Sequence, residues 1–251
     1  MHDNPTADSR STPIDGTGRT ALVTGAGRGL GATLTTLLCA RGWNVVATSR
    51  SGDELAAVAG KLNAEGPGRV VAIPGDVCDP GHRARLVAEA GALPGFGIVV
   101  NNAALMGVSP IAPLLEAPVD VYRRVMETNV VAPLALIRES VPHLGSGSLI
   151  VNISSESAVQ AFPCAGVYGA SKAAMDQAGR ILALELAEAG IGVVAVDPGD
   201  MGTRMYAEAE PGADLSALPS PESTLPFWHW LLGRHPTDVS GGRFLAQEHT
   251  R

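Results

Sequence analysis

Tyr168 and Lys172 are the first side chains in this sequence whose types and spacing could do chemistry together. They lie four residues apart in YGASK, inside an alanine-rich stretch that is typical of a helix, so both would project from one helix face about one turn apart. A phenol with a pKa near about 10 is a poor acid or base at neutral pH, and a neighbouring ammonium stabilises its anion. The pair therefore indicates acid–base chemistry at the phenol, although the same spacing is also common on helix surfaces.

The composition is that of a globular protein with a single core. Apolar residues make up 45% of the 251 residues and charged residues 17%, and chains of this length often fold as one domain. The net charge is −7 and no basic run occurs, which argues against nucleic acid or an anionic membrane surface as a partner.

The cysteines and the N-terminal residues bear on location. Cys39, Cys78 and Cys164 are widely spaced without a metal-ligand pattern, which predicts no metal site and is typical of a reducing compartment. Residues 1–19 lack a signal-like apolar segment, and no later run reaches membrane-spanning length. We expect a disordered polar tail at 1–19, one domain at 20–251 and a cytoplasmic protein.

Short β-branched runs alternate with helical stretches from residue 20 onward. The runs are uninterrupted, as in strands that are buried on both faces of a parallel sheet. Alternating strands and helices form βαβ units, so the sequence predicts an α/β fold with a doubly wound parallel sheet. The predicted strands are TALVT (20–24), NVVAT (44–48), RVVAI (69–73), GIVVN (97–101), SLIVNI (148–153) and GVVAVD (192–197).

The alternation stops at residue 200. Residues 200–230 are rich in proline and acidic residues and then become aromatic, which predicts a long loop with short helices, and long loops in compact domains are usually functional. Phe227, Trp228 and Trp230 fit either a packed helix or an apolar wall over a substrate pocket. Met201, Met205 and Tyr206 lie earlier in this loop and would begin a lid over the substrate.

A glycine-rich turn, TGAGRGLG (24–31), joins the first strand to the following helix. Glycine lets the backbone approach a pyrophosphate closely, and the free amides at a helix start favour its charge. Tight strand-to-helix turns need glycine in any case, so the turn alone is weak evidence. Its place in the first βαβ unit strengthens the prediction of dinucleotide binding.

Two other predicted strands bring polar groups to the same sheet edge. The third is followed by PGDV and the fourth ends in NNAA. Asp76 either accepts a hydrogen bond from an adenine amino group or serves as a turn or cap residue.

Taken together, these motifs resemble the short-chain dehydrogenase/reductase family in its single-domain form, over about residues 20–203. The resemblance implies a Rossmann fold, hydride transfer between a nicotinamide dinucleotide and a carbonyl or alcohol, and a homotetramer or homodimer. Ala104 departs from the family's usual glycine, and the common DGG ending is missing. The motifs are TGxxxGxG with Gly25, Gly29 and Gly31, the Asp76 turn, NNAA, Asn129, ISS, YxxxK and PGDMGT (198–203).

The family's catalytic residues fall on Asn129, Ser155, Tyr168 and Lys172. Its serine stands 13 positions before the tyrosine, which selects Ser155, although a one-residue shift in the loop would exchange it with Ser154. In this role Tyr168 is the proton donor, Ser155 stabilises negative charge on the carbonyl oxygen, and Lys172, with the oxidised nicotinamide, lowers the pKa of the phenol. Asn129 would hold a water that connects Lys172 to solvent.

The end of the second predicted strand favours NADP(H) over NAD(H). Ser49 stands where NAD enzymes place a carboxylate, and Arg50 and Arg28 are cations suited to a 2′-phosphate with no carboxylate to repel it. Residues expected to contact the cofactor are Gly25, Arg28, Gly29, Leu30, Gly31, Ser49, Arg50, Asp76, Val77, Asn102, Ala103, Tyr168, Lys172, Pro198, Gly199 and Thr203.

The resulting hypothesis is an NADP(H)-dependent oxidoreductase that acts on an apolar carbonyl or secondary alcohol. An NAD-linked alcohol dehydrogenase is the alternative within enzymes. A non-catalytic dinucleotide-binding regulatory protein is the alternative from another class.

Overall fold

A single seven-stranded parallel sheet organises the protein. The computed structural model describes residues 17–248, so residues 1–16 of the expected N-terminal tail lie outside the described residues. Arg19 from the end of that tail is placed, with its guanidinium over the Trp43 ring. The strand order is β3-β2-β1-β4-β5-β6-β7, and every pair is parallel. The strands are β1 (Thr20–Thr24), β2 (Asn44–Thr48), β3 (Arg69–Ala72), β4 (Phe96–Asn101), β5 (Leu149–Ile153), β6 (Gly192–Asp197) and β7 (Arg243–Leu245).

Helices cover both faces of this sheet. One face carries α1, α2 and α8, and the other carries α3, α5 and α6. The helices are α1 (Gly29–Ala40), α2 (Gly52–Glu65), α3 (Pro80–Ala92), α4 (Val119–Met126), α5 (Ala132–Ser140), α6 (Gly166–Glu185), α7 (Arg204–Ala209), α8 (Leu225–Leu232) and α9 (Pro236–Val239). Short 3-10 turns occupy Leu114–Glu116, Val141–His143, Glu156–Ala158, Leu215–Ala217 and Pro221–Thr224.

The central strands are buried on both faces, which is why their sequences are apolar without interruption. In β1, Ala21 and Val23 pack into the core under α1, while Leu22 between them packs into the opposite core under α3. This confirms the predicted doubly wound α/β fold, in the strand order of the dinucleotide-binding Rossmann type. In residues 17–248, no helix is both long and apolar enough to cross a membrane.

A wide turn interrupts the helical stretch after β4. Between α4 and α5 the backbone forms a π-helical turn, Glu127–Val131, and Asn129 lies within it. Such turns often occur at functional sites because they displace one residue from the regular helix.

Residues 200–232 contain α7, two 3-10 turns and α8. Phe227 and Trp228 on α8 are buried in the core beside α1, and the Trp228 Nε1 donates a 2.9 Å hydrogen bond to the Thr224 hydroxyl. Phe227 also contacts the rings of Trp230 and Phe244. Of the two interpretations of this aromatic cluster, the packed helix is the one that the structure contains.

Candidate active site

A cleft of about 1820 Å³ opens at the carboxyl ends of the strands, where ligands bind in open α/β sheets. Among the residues expected from sequence to form the site, only Gly31 and Asn129 do not line it. The expected residues that do are Gly25, Arg28, Gly29, Leu30, Ser49, Arg50, Asp76, Val77, Asn102, Ala103, Ser155, Tyr168, Lys172, Pro198, Gly199 and Thr203.

Close backbone packing shapes the glycine-rich turn. Gly25 has a φ of 67°, and a Cβ at Gly31 would lie 2.2 Å from the Gly25 carbonyl oxygen. The Asn102 side-chain amide donates to the carbonyls of Thr24 and Gly25, at 2.9 and 3.2 Å. Gly31 therefore supports the turn from behind, which explains why it is absent from the cleft wall.

The glycine-rich turn lies next to the 200–232 segment at Gly29 and Thr203. A Cβ on Gly29 would lie 3.5 Å from the Thr203 Cγ2. The Thr203 hydroxyl accepts a hydrogen bond from the Tyr206 amide and caps α7, so the expected cofactor contact of Thr203 shares that oxygen with a helix cap.

The end of β2 carries the expected cations and, in addition, a carboxylate. Arg50 is exposed, and the Ser49 hydroxyl donates to the Ser51 carbonyl at 3.0 Å. Glu54, in the first turn of α2, lies 3.3 Å from Arg28 and 3.9 Å from Arg204. The expectation that no carboxylate stands near the cofactor-binding cations was wrong for Arg28, because the first turn of α2 places Glu54 beside it.

Asp76 follows β3 and forms a local turn. Its Oδ1 accepts a 2.9 Å hydrogen bond from the Cys78 amide, as expected for a turn residue. Its exposed side chain also lines the cleft. Val77 beside it is buried.

Ser155, Tyr168 and Lys172 lie together between β5 and α6. The Ser155 hydroxyl is close enough to the Tyr168 phenol to lower its pKa, and it accepts a 3.2 Å hydrogen bond from the Ser157 amide. The Lys172 Nζ donates to the Ile153 carbonyl at 2.7 Å and lies 5.4 Å from the centre of the Tyr168 ring. Ser154 also lines the cleft, but its hydroxyl donates to the buried Asp176 at 2.8 Å, so of these two serines Ser155 is the one that acts on Tyr168.

Burial controls the protonation of the tyrosine and the lysine. It raises the pKa of Tyr168 above its usual value near 10, with Asp197 and Asp200 adding to the rise and the Ser155 hydroxyl opposing it. Burial lowers the pKa of Lys172 to about 8, against the attraction of Asp176 and Asp197. The expected lowering of the phenol pKa by Lys172 is not what the protein groups produce, because burial of the phenol raises its pKa and the ammonium is directed at the Ile153 carbonyl.

Asn129 is buried behind this group. Its Oδ1 accepts from the Leu105 amide and its Nδ2 donates to the Leu105 carbonyl, both at 2.8 Å. Its Nδ2 also donates to the Ser171 hydroxyl at 2.9 Å, and Ser171 donates to the Tyr168 carbonyl. Its side chain thus joins the π-helical turn to α6 and to the loop after β4.

Three charged residues near the site carried no signal in the sequence. Glu54, Asp176 and Arg243 belong to no motif, and only the folded chain brings them close to the turn and to Lys172. Among residues 17–248, no group of three or more histidine, cysteine, aspartate or glutamate side chains could hold a metal ion.

The Rossmann-type fold, the glycine-rich turn and the arrangement of Ser155, Tyr168 and Lys172 are together typical of dinucleotide-dependent oxidoreductases. The family model for short chain dehydrogenases matches residues 19–214, and the chain belongs to this family. A 3beta-hydroxysteroid dehydrogenase of Eggerthella lenta is 33% identical over 238 residues, covering 89% of this chain and 90% of that protein. The short chain dehydrogenase asqE of Emericella nidulans is 38% identical over 177 residues, 67% of this chain and 65% of that protein, slightly under two thirds of its length.

Solved structures show the same architecture. A proposed short chain dehydrogenase from Shigella flexneri, complexed with NADP, has a TM-score of 0.86 and 28% identity, covering 94% of this chain and all of that chain. One from Escherichia coli CFT073, complexed with NADPH, has the same score and identity and covers 94% of this chain and 99% of that chain.

Proposed function

We propose that this protein is an NADP(H)-dependent oxidoreductase that interconverts a carbonyl compound and a secondary alcohol. The observation that carries the proposal is the grouping of Ser155, Tyr168 and Lys172 in one cleft with the glycine-rich turn. These are a proton donor, an oxyanion partner and a cation.

Each residue has a distinct task in the proposed reduction. When bound, the dinucleotide supplies the hydride that is added to the carbonyl carbon. Tyr168 donates its phenolic proton to the carbonyl oxygen, and Ser155 donates a hydrogen bond to the same oxygen as negative charge develops there. Lys172 places a positive charge beside the phenol. Asn129 is the fourth residue of the proposed catalytic group, and it holds α6 in place through its hydrogen bond to Ser171.

Cofactor choice follows from the cations near β2. Arg28 and Arg50 line the cleft and are largely exposed, so both can bind a 2′-phosphate. The NADP and NADPH complexes of the two structural relatives support this choice. Arg50→Asp is expected to weaken NADPH binding much more than NADH binding in a fluorescence titration, and equal losses would favour the NAD-linked alternative.

An apolar substrate is proposed from apolar side chains in the same cleft as Tyr168. The cleft lining includes Leu105, Met106, Ile111, Phe162 and Met201, and all of them can contact a hydrocarbon or aromatic carbonyl. The hydroxysteroid dehydrogenase relative agrees with this substrate class.

The test is NADPH consumption with ketones, quinones, steroids and acyl thioesters, run with wild type, Tyr168→Phe and Tyr122→Phe. Tyr122 is a matched control because its hydroxyl bonds the Leu114 carbonyl and does not line the cleft. Turnover that persists in Tyr122→Phe and disappears in Tyr168→Phe supports the proposal. NADPH binding without turnover of any substrate would instead favour the regulatory alternative.

Assembly as a homodimer or homotetramer is proposed through the long helices. Ile181 and Leu184 on α6 and Val131 before α5 are exposed, with Leu184 at 80%. Exposed apolar residues on a pair of helices favour a self-complementary interface. Light scattering should show a smaller particle for Leu184→Glu than for wild type. The cytoplasmic location is likewise proposed, from three free cysteines.

A further inference from the structure

Arg243, the first residue of β7, contacts three parts of the site from behind. Its Nη2 donates to the Ser155 carbonyl at 2.8 Å and to Asp197 Oδ2 at 3.0 Å. Its Nε donates to Asp176 Oδ2 at 3.1 Å. A planar guanidinium can bridge three acceptors in fixed directions, which the single ammonium of a lysine cannot do.

Both carboxylates in this group are almost fully buried, with side chains 4% exposed. Asp176 Oδ2 also accepts from Ser154, whereas no hydrogen-bond partner for Oδ1 occurs among the described residues. Asp176 and Arg243 both line a cavity of about 10 Å³ between α6 and the edge of the sheet. Buried carboxylates need a partner of opposite charge, and the Arg243 guanidinium is a cation that is hydrogen-bonded to both of them.

Each contact leads to a residue of the proposed reaction. The carbonyl belongs to Ser155, whose hydroxyl acts on the Tyr168 phenol and lowers its pKa. Asp197 Oδ1 accepts from the Gly199 amide at 3.0 Å and so anchors the start of the loop at 198–203. Asp176 stands one helical turn after Lys172 on α6.

We propose that Arg243 is a positioning residue of the oxidoreductase site, which holds Ser155 and the 198–203 loop in place and balances the two carboxylates behind Lys172. This inference rests on the proposed function for its kinetic consequences. Its electrostatic part concerns this chain alone and can be measured without turnover.

The charges around Lys172 determine the direction of the electrostatic effect. Tyr168 and Asp176 share its helix, Asp197 faces it from the end of β6, and Arg243 lies behind both carboxylates. Asp200 is the next charge along the loop and acts on Tyr168. Without the Arg243 charge, two uncompensated carboxylates stabilise the ammonium, and the pKa of Lys172 rises.

The chain offers a direct probe because Lys61 and Lys172 are its only lysines. Protein labelled with 13C at the lysine ε-carbon therefore gives two signals by NMR, and the exposed Lys61 is the internal reference. The variants are Arg243→Met, Arg243→Lys and the charge-balanced double variant Asp176→Asn with Arg243→Met. Arg69→Met is the matched control, since Arg69 is the first residue of β3 at the opposite sheet edge and is exposed.

Arg243→Met is expected to lower kcat about 10- to 100-fold, because a small displacement of Ser155 is costly. The Lys172 titration, with a midpoint near 8 in wild type, moves to higher pH. The double variant returns this midpoint toward the wild-type value and leaves kcat low, because the link to Ser155 is still missing. Arg243→Lys keeps the charge and also loses kcat, and Arg69→Met changes neither quantity.

An unchanged Lys172 midpoint in folded Arg243→Met would overturn the electrostatic role, even if wild type turned over no substrate and the proposed function had failed. Full kcat in Arg243→Lys or in the double variant would overturn the positioning of Ser155. A lower melting temperature with unchanged kcat and midpoint would make Arg243 a structural residue only.

Discussion

The glycine-rich turn at 24–31 and the segment at 200–232 border the same cleft but are built in opposite ways. In the turn, backbone atoms pack directly against other backbone atoms. The Gly25 carbonyl fits against Gly31 because glycine has no side chain. In the segment, large aromatic residues of α8 fill the core, while Met201, Met205 and Tyr206 line the cleft. We therefore expect cofactor binding at the turn to depend on the absence of side chains. The proposed substrate contacts would come from side chains of the segment, of which Met201 also packs against the core.

The largest effect is expected in the core of the segment. Phe227→Ala removes a ring that is 1% exposed and should lower the free energy of unfolding by about 4 kcal/mol. Urea unfolding measures this change. Met205→Ala is the comparison within the same segment, and it should leave stability nearly unchanged and raise the KM for an apolar substrate. If Phe227→Ala changed substrate preference without loss of stability, α8 would belong to the substrate wall. The contrast between core-packing residues on α8 and cleft-lining residues earlier in the segment would then be wrong.

Gly31→Ala tests the turn. A Cβ placed 2.2 Å from a carbonyl oxygen forces the backbone apart, so the free energy of unfolding should fall by about 3 kcal/mol and NADPH binding should weaken as well. Gly60→Ala in α2 is the matched control because nothing lies within 4 Å of the added atom. That variant should gain up to about 1 kcal/mol, since alanine favours a helix. Equal stability of the two variants would show that the turn is not sterically constrained.

The same contrast explains what the sequence could predict. The strands and the turn were predictable because their signals are local: buried parallel strands are apolar throughout, and a strand-to-helix turn that approaches a phosphate uses glycine. The order of the family motifs predicted Ser155, Tyr168 and Lys172 as site residues, and all three line the same cleft. The contacts of Glu54 with Arg28 and of Arg243 with Ser155 join residues 26 and 88 positions apart, so no local pattern announces them.

Residues 200–232 show the same limit of what local sequence patterns can predict. Their composition predicted a loop with short helices but left two interpretations of Phe227, Trp228 and Trp230. Only the packing of α8 against α1 decides between them, because an aromatic residue suits a core and a pocket equally well.

An intermediate effect is expected from pH. The pKa of Lys172 is near 8 in the folded protein and is higher when unfolded, so the unfolded state binds more protons between these values. Stability should therefore rise with pH from about 8 to 10, by about 2 kcal/mol. Above about 10 the raised pKa of Tyr168 reverses the trend, because the folded state then retains the extra proton. Thermal unfolding across this range should show the rise in wild type and not in Lys172→Met, and a rise of equal size in both would assign it to other groups.

The smallest effect belongs to Glu54, where the turn and the segment meet. Its carboxylate lies between Arg28 and Arg204, whose side chains are 46% and 62% exposed, and such exposed ion pairs contribute at most about 1 kcal/mol. A 2′-phosphate must compete with Glu54 for Arg28, so Glu54→Gln should tighten NADPH binding by up to about 5-fold and leave NADH binding unchanged. Fluorescence titration at low salt measures both constants, with exposed Glu65 at the far end of α2 changed to Gln as the control. If NADPH and NADH both bound more tightly to the same extent, the carboxylate would act on the pyrophosphate that the two cofactors share. Glu54 would then act at the glycine-rich turn rather than at the end of β2.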